Sequence, residues 1–148
     1  MVDVVDKATR SRMMSGIRGK DTKPEILVRK ALFSRGYRYK LHDKSLPGNP
    51  DLVLPKYRAI ILINGCFWHK HECHLFKWPS TRKKFWREKL HRNTELDLIN
   101  CEKLFDLGWR VITVWECALK GKESLDFKDL IGTIDTWLKS DFLSLEIP

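Results

Sequence analysis

A chain of 148 residues, 43% of them hydrophobic, is the right size for one globular domain with a real core. No apolar run approaches the roughly 18 residues that a membrane-spanning helix needs, the best being residues 59–63. The first seven residues lack the charged-then-apolar pattern of a secretory leader, so the expected location is the cytoplasm. The formal charge of +9 is uneven: residues 1–40 hold 11 Lys/Arg against 4 Asp/Glu, residues 70–92 hold 8 against 2, and residues 121–148 hold 3 against 6. Two basic blocks around an apolar middle fit a polyanion, because neutralised phosphates release counterions. The aromatics inside those blocks narrow the partner to nucleic acid.

Residues 1–20, aperiodic and rich in Arg, Lys, Ser and Gly, read as a basic arm. Thr22-Lys23-Pro24-Glu25 has the spacing of a capping box, with Ile26, Val28, Leu32 and Phe33 behind it and Gly36 ending the helix. Pro47-Gly48-Asn49-Pro50 is a turn. Residues 51–54 and 59–63 then read as strands, the second apolar on both faces and therefore central. Residues 65–80 form an irregular loop crowded with His, Cys and aromatics. Helical spacing runs from about residue 82 to 107, with Gly108 as the C′ residue. Within it, Cys101 is expected as a small buried hydrophobe on the face of Leu90, Leu98 and Phe105. Residues 109–115 read as a third strand, and Phe127, Leu130, Ile131, Ile134 and Leu138 mark a last amphipathic helix. This order predicts an α/β sandwich with a mixed sheet. The expected organisation is an arm over 1–20, one domain over 21–140 and a tail over 141–148.

Four cysteines in a cytoplasmic chain point to metal or burial rather than disulfides. Cys66-Phe67-Trp68-His69-Lys70-His71-Glu72-Cys73-His74 packs five candidate zinc ligands into nine residues, and Cys117 ends the third strand. Tetrahedral zinc takes four thiolate or imidazole ligands. Cys66, Cys73 and Cys117 with one histidine supply them, and spacing leaves the choice among His69, His71 and His74 open. Such a staple would tie the loop to the far strand.

Asp51, at a turn-to-strand junction, can hold a divalent cation against a phosphate if the next strand offers a second oxygen. A histidine in the following loop can move a proton there. Phe67 and Trp68, adjacent in a loop, are candidates for wedging between base steps, whereas Trp109, Trp115, Trp137 and Phe85 read as core. Trp86 and Phe85 face different sides of their helix, leaving one of them free to be exposed.

Asp3-Val4, Asp6-Lys7-Ala8-Thr9-Arg10-Ser11, Ser45-Leu46-Pro47-Gly48-Asn49-Pro50-Asp51, Gly65-Cys66-Phe67-Trp68-His69, Leu75-Phe76-Lys77, Phe85-Trp86, Leu107-Gly108-Trp109-Arg110-Val111 and Val114-Trp115-Glu116-Cys117-Ala118-Leu119 resemble the very short patch repair (Vsr) mismatch endonucleases. The resemblance runs from about residue 3 to residue 120 and leaves the C-terminal tail outside. It implies a restriction-endonuclease-like core of the PD-(D/E)xK type, with a mixed central sheet flanked by helices and a structural zinc site. It also implies a nick on the 5′ side of the mismatched thymine of a T·G pair in double-stranded DNA, which starts repair of deaminated 5-methylcytosine.

By the same resemblance, Asp51 and the backbone carbonyl of Ile63 hold magnesium, His69 does acid–base work, and Glu25 assists at the metal's water shell. Cys66, His71, Cys73 and Cys117 become the zinc ligands, Phe67, Trp68 and Trp86 intercalate, and the arm clamps the DNA. Helix capping is a competing role for Glu25. Similar family members carry Thr-His where this chain has Ile63-Asn64; any residue supplies the carbonyl at 63, but Asn64 cannot carry a proton. A monomer is expected, with downstream repair proteins as further partners and no membrane. The alternatives are a zinc-stabilised DNA-binding module without cleavage, which Asp51 coupled to His69 disfavours, and a same-fold nuclease of different specificity, which the aromatic cluster disfavours.

Overall fold

The computed structural model describes residues 22–148, so the arm expected over 1–20 lies outside the described residues. Helix α1, Lys23–Ser34, begins at Thr22, whose hydroxyl accepts from the Glu25 backbone N–H at 3.5 Å. It buries Val28 and Leu32 while Phe33 turns outward, and Gly36 reverses the chain at a φ of 95°. Then follow β1 (Lys40–Leu41), β2 (Leu52–Leu54), β3 (Ala59–Asn64), α2 (Lys83–Asp106), β4 (Arg110–Trp115), α3 (Phe127–Leu138) and β5 (Ser144–Ile147).

The five strands lie in sequence order across one mixed sheet, β1 to β3 antiparallel and β3 to β5 parallel. Side chains alternate across a strand, and here both faces are covered. Leu52, Leu54, Ala59, Ile61, Ile112 and Val114 pack with Val28 and Leu32 of α1 and Leu130, Ile131, Ile134 and Leu138 of α3. Their alternates Val53, Ile60 and Val111 pack with Leu104 of α2. The mixed sheet between helices, with β3 at its centre, matches the expected architecture. Arg110 fastens α3 to it, donating to the carbonyls of Tyr57, Trp137, Leu138 and Phe142 and lying over the Trp137 ring.

Two expectations for α2 fail. Leu98 and Phe105 face outward, so Cys101 shares no buried stripe with them; it sits half-buried against Val53, Ile60, Leu104 and Val111. Phe85, read as core, is 40% exposed, and Trp86 is the buried member of that pair. Strands β1 and β5 carry little period-two signal, since Ile147 is their one buried residue; β5 occupies the segment set apart as a tail. Among the described residues no helix is long and apolar enough to cross a membrane.

Candidate active site

Beyond the carboxyl ends of β3 and β4 the sheet and α2 enclose a cleft of about 780 Å³, lined by Asp51, Asn64, His69, Asp97, Trp115 and Glu146 among others. The ends of parallel strands are the usual place for a ligand in a sheet of this kind. Asp51 reaches it from the turn in which Gly48 and Asn49 take left-handed backbone, φ 78° and 46°. Its Oδ2 accepts from the Ile63 backbone N–H at 2.8 Å, which fixes the carboxylate against the outgoing end of β3. Burial pushes the Asp51 pKa up to about 6; the Ile63 hydrogen bond opposes this and the neighbouring charge of Glu25 adds to it.

Glu25, 1% exposed, turns its carboxylate to Arg29 Nη1 at 2.9 Å and to Nε2 of His42, which lies 3.0 and 2.8 Å from its two oxygens. Its backbone N–H meets the capping hydroxyl of Thr22, so cap and site use different atoms of one residue. One donor atom each from Glu25, His42 and Asp51 lie within 4.8 Å of one another. Two carboxylates buried this closely repel unless a proton or a cation stands between them. With an imidazole beside them, they are a donor set suited to a divalent cation. His42 escaped the sequence reading because nothing in its spacing connects it to Asp51; the sheet pairing of β1 with β2 does so.

Across the cleft, Nδ1 of His69 is hydrogen-bonded by a carboxylate oxygen of Asp97 from α2. A carboxylate only accepts, so Nδ1 carries the proton and Nε2 is the nitrogen left for proton exchange. Asp97 was not among the sequence candidates, because the contact spans 28 residues and depends on how α2 lies over the loop. Asn64, level with Trp115 in the β3–β4 register, lines the same cleft.

Behind His69, Cys66, His71, Cys73 and Cys117 offer donor atoms within 4.8 Å of one another. Burial pushes the thiols of Cys66 and Cys117 above their ordinary range and the His71 imidazole below its own. Three sulfurs and one ring nitrogen in this packing can hold a metal ion. The His71 ring stacks on Trp115, centroids 4.0 Å apart and planes within 7°, while His69 meets the same indole edge-on. His74 is elsewhere: its Nδ1 meets Glu123 at 3.2 Å and its ring closes on Gly121.

The rings of Phe67, Trp68 and Trp86 form one cluster with centroids 5.1 to 6.0 Å apart. Phe76 extends it by stacking on Phe67, and Asn93 of α2 donates to the Trp68 carbonyl at 3.1 Å. Trp86 is the buried member; Phe67 and Trp68 are half-exposed. The exposed cations Arg82, Lys83, Lys84, Arg87, Lys89 and Arg92 run along the first half of α2 beside this cluster.

A carboxylate–imidazole set able to hold a cation, a carboxylate-oriented histidine in the cleft and a basic aromatic face on the adjoining loop and helix are the equipment of a nuclease. The family model described as "DNA mismatch endonuclease Vsr" matches residues 2–75. The chain is 45% identical over 147 residues, 99% of its length and 94% of the relative's, to the DNA mismatch endonuclease Vsr of Escherichia coli (strain K12). It is 46% identical over 122 residues to the type II nicking enzyme V.NmeAIP of Neisseria meningitidis, covering 82% of this chain and 87% of that one. To the type II nicking enzyme V.XorIIP of Xanthomonas oryzae pv. oryzae it is 40% identical over 126 residues, 85% and 93% of the two chains. This chain belongs to the Vsr family of DNA mismatch endonucleases.

Proposed function

We propose that this chain nicks one strand of double-stranded DNA on the 5′ side of the mismatched thymine in a T·G pair, within a short sequence context, and so starts repair of deaminated 5-methylcytosine. The observation that carries this reading is the convergence of Asp51 and His69 on one cleft, with the Phe67–Trp68 pair directly before His69 in the same loop. A non-cleaving DNA-binding module has no use for a buried carboxylate pair facing a carboxylate-oriented histidine. A nuclease indifferent to base pairing has no use for the aromatic cluster. The five-stranded mixed sheet supports a restriction-endonuclease-like core.

In this reading Asp51 and the Ile63 carbonyl hold magnesium, with Glu25 at its water shell. When bound, the ion supplies positive charge to the scissile phosphate. His69, held in one tautomer by Asp97, exchanges a proton through Nε2 with the attacking water or the leaving oxygen. Asn64 hydrogen-bonds in the cleft and moves no proton. Cys66, His71, Cys73 and Cys117 hold a structural zinc, whose tetrahedral sulfur-rich preference fits this donor set. Because the loop from Cys66 to Cys73 carries Phe67, Trp68 and His69 between its ligands, the staple would hold wedge and proton carrier in one frame. Phe67 and Trp68 insert at the mismatch, where unstacking costs least, and Trp86, expected from the resemblance to intercalate as well, is buried and backs them from behind.

The test uses end-labelled duplexes with and without a single T·G mismatch, in magnesium or in EDTA. Magnesium-dependent nicking of the mismatched duplex alone is expected. Equal cutting of the matched duplex would remove mismatch recognition from the function.

A further inference from the structure

We propose that His42 is a nitrogen ligand of the divalent cation held beside Asp51, an inference that rests on the reading of Asp51 as a cation-holding residue. His42 directly follows β1 in left-handed backbone, φ 47°, a conformation that a non-glycine residue adopts infrequently. Its backbone N–H donates to the Asp51 carbonyl at 3.0 Å, tying this residue to the one that carries the site's carboxylate. The ring is thereby turned inward, its side chain 16% exposed. Local strain of this kind persists where the surroundings enforce it, and it concentrates at ligand-holding positions.

In the absence of a cation Nε2–H of His42 donates to both oxygens of Glu25, a proton that the ring would give up on ligating through that nitrogen, yet Arg29 already meets Glu25 Oε2 at 2.9 Å. An ion pair with Glu25 alone does not require a ring nitrogen within 4.8 Å of an Asp51 oxygen as well, and one lies there. The three donors come from α1, from the end of β1 and from the start of β2, segments that meet only through the fold. Two carboxylate oxygens and one ring nitrogen this close can surround a single cation, in place of the shared proton that would otherwise separate the acids.

The donor set carries a consequence for the cation. Magnesium takes oxygen ligands and gives up water reluctantly, whereas manganese(II) accepts imidazole alongside carboxylate. A site containing His42 therefore discriminates in favour of manganese more than a site built from Asp51, Glu25 and carbonyl oxygen alone.

The experiment is manganese titration of the intact protein without DNA, its cysteine cluster metallated, followed by electron paramagnetic resonance and spin-echo modulation, in which a bound imidazole imprints a nitrogen hyperfine coupling. The coupling is expected in the native protein and in His69→Ala, and is lost in His42→Gln, which keeps a side-chain hydrogen-bond donor to Glu25. Manganese affinity falls by about tenfold or more in His42→Gln while magnesium affinity changes less. Absence of the coupling from the native protein with manganese bound, its survival in His42→Gln, or unchanged manganese affinity in both His42→Gln and His42→Ala overturns the proposal. Asp51→Asn separates the two levels. If it removes manganese binding while the His42 variants retain it, His42 alone is excluded; if it leaves binding intact, the cation role of Asp51 falls with it.

Discussion

Nδ1 of His69 is held by the carboxylate of Asp97, which reaches it from the middle of α2. The pairing fixes both the ring's orientation and its tautomer, so the two residues act as one unit whose outer atom is Nε2. His69→Ala should lower single-turnover nicking by about 10²-fold or more. Asp97→Asn should lower it by about tenfold or more with DNA affinity unchanged, because an amide N–H facing Nδ1 selects the tautomer with the proton on Nε2. Asn64→Ala should cost less than either. Equal, small losses in all three variants would remove the proton-transfer role from His69.

Asp51 sets a pH dependence of stability with a definite sign. Its folded-state pKa, about 6, stands above the ordinary carboxylate value, so folding favours the protonated acid. That contribution is complete below about pH 4 and is lost as pH rises through about 6. Asp51→Asn keeps an acceptor for the Ile63 N–H and removes the charge. Without divalent cations its Tm should exceed that of the native protein at pH 7.5, by the equivalent of about 1–3 kcal/mol, and the two should converge near pH 4. Added divalent cation should raise the native Tm and leave the variant's unchanged. Paired thermal melts check both; a lower Tm for the variant at neutral pH would mean that the ionised carboxylate is stabilised by its surroundings.

Local chemistry carried the sequence reading as far as local chemistry determines structure. Thr22 as a cap, the turn before Asp51, the apolar run of β3 and Gly108 at the end of α2 are decided within a few residues, and they are where the pattern put them. The loop from Cys66 to Cys73 is dense enough that its cysteines could be grouped before the fold was known, although spacing alone could not choose a histidine. His42 and Asp97 were invisible for a common reason: each becomes chemically relevant through a contact with a distant segment. Strand β5 was missed because an edge strand with one buried residue has no alternation to detect. Phe85 was misjudged as core although the pattern rightly had it and Trp86 facing different ways, because composition does not say which of the two is inside.

Removal of metal from the cysteine cluster tests the staple. Burial holds the thiols of Cys66 and Cys117 toward their neutral form when no cation is bound, and the loop then meets β4 through the rings of His69 and His71 on Trp115. Cys117→Ala should lose bound zinc, measured by elemental analysis, together with cooperative folding and mismatch nicking. A strong chelator should lower the Tm of the native protein, and zinc should restore it. A zinc-free variant that still nicks T·G duplexes would show that the loop is held by packing alone.

Phe67 and Trp68 sit between Cys66 and His71 of the cysteine–histidine cluster in sequence, and Asn93 of α2 holds the Trp68 carbonyl. The half-exposed rings therefore project from a fixed backbone, while Trp86 backs them from within. A wedge so mounted contributes at a weakened base pair and little at a sound one, since a stacked base is worth about 1–3 kcal/mol and unstacking a matched pair costs as much or more. Trp68→Ala and Phe67→Ala should each reduce affinity for T·G duplex by about 5- to 100-fold, with a much smaller effect on matched duplex, so that discrimination collapses toward one. Fluorescence anisotropy on the two duplexes measures this directly. Parallel loss of affinity on both would reassign the pair to packing, because a ring that only supports the loop weakens every DNA complex alike.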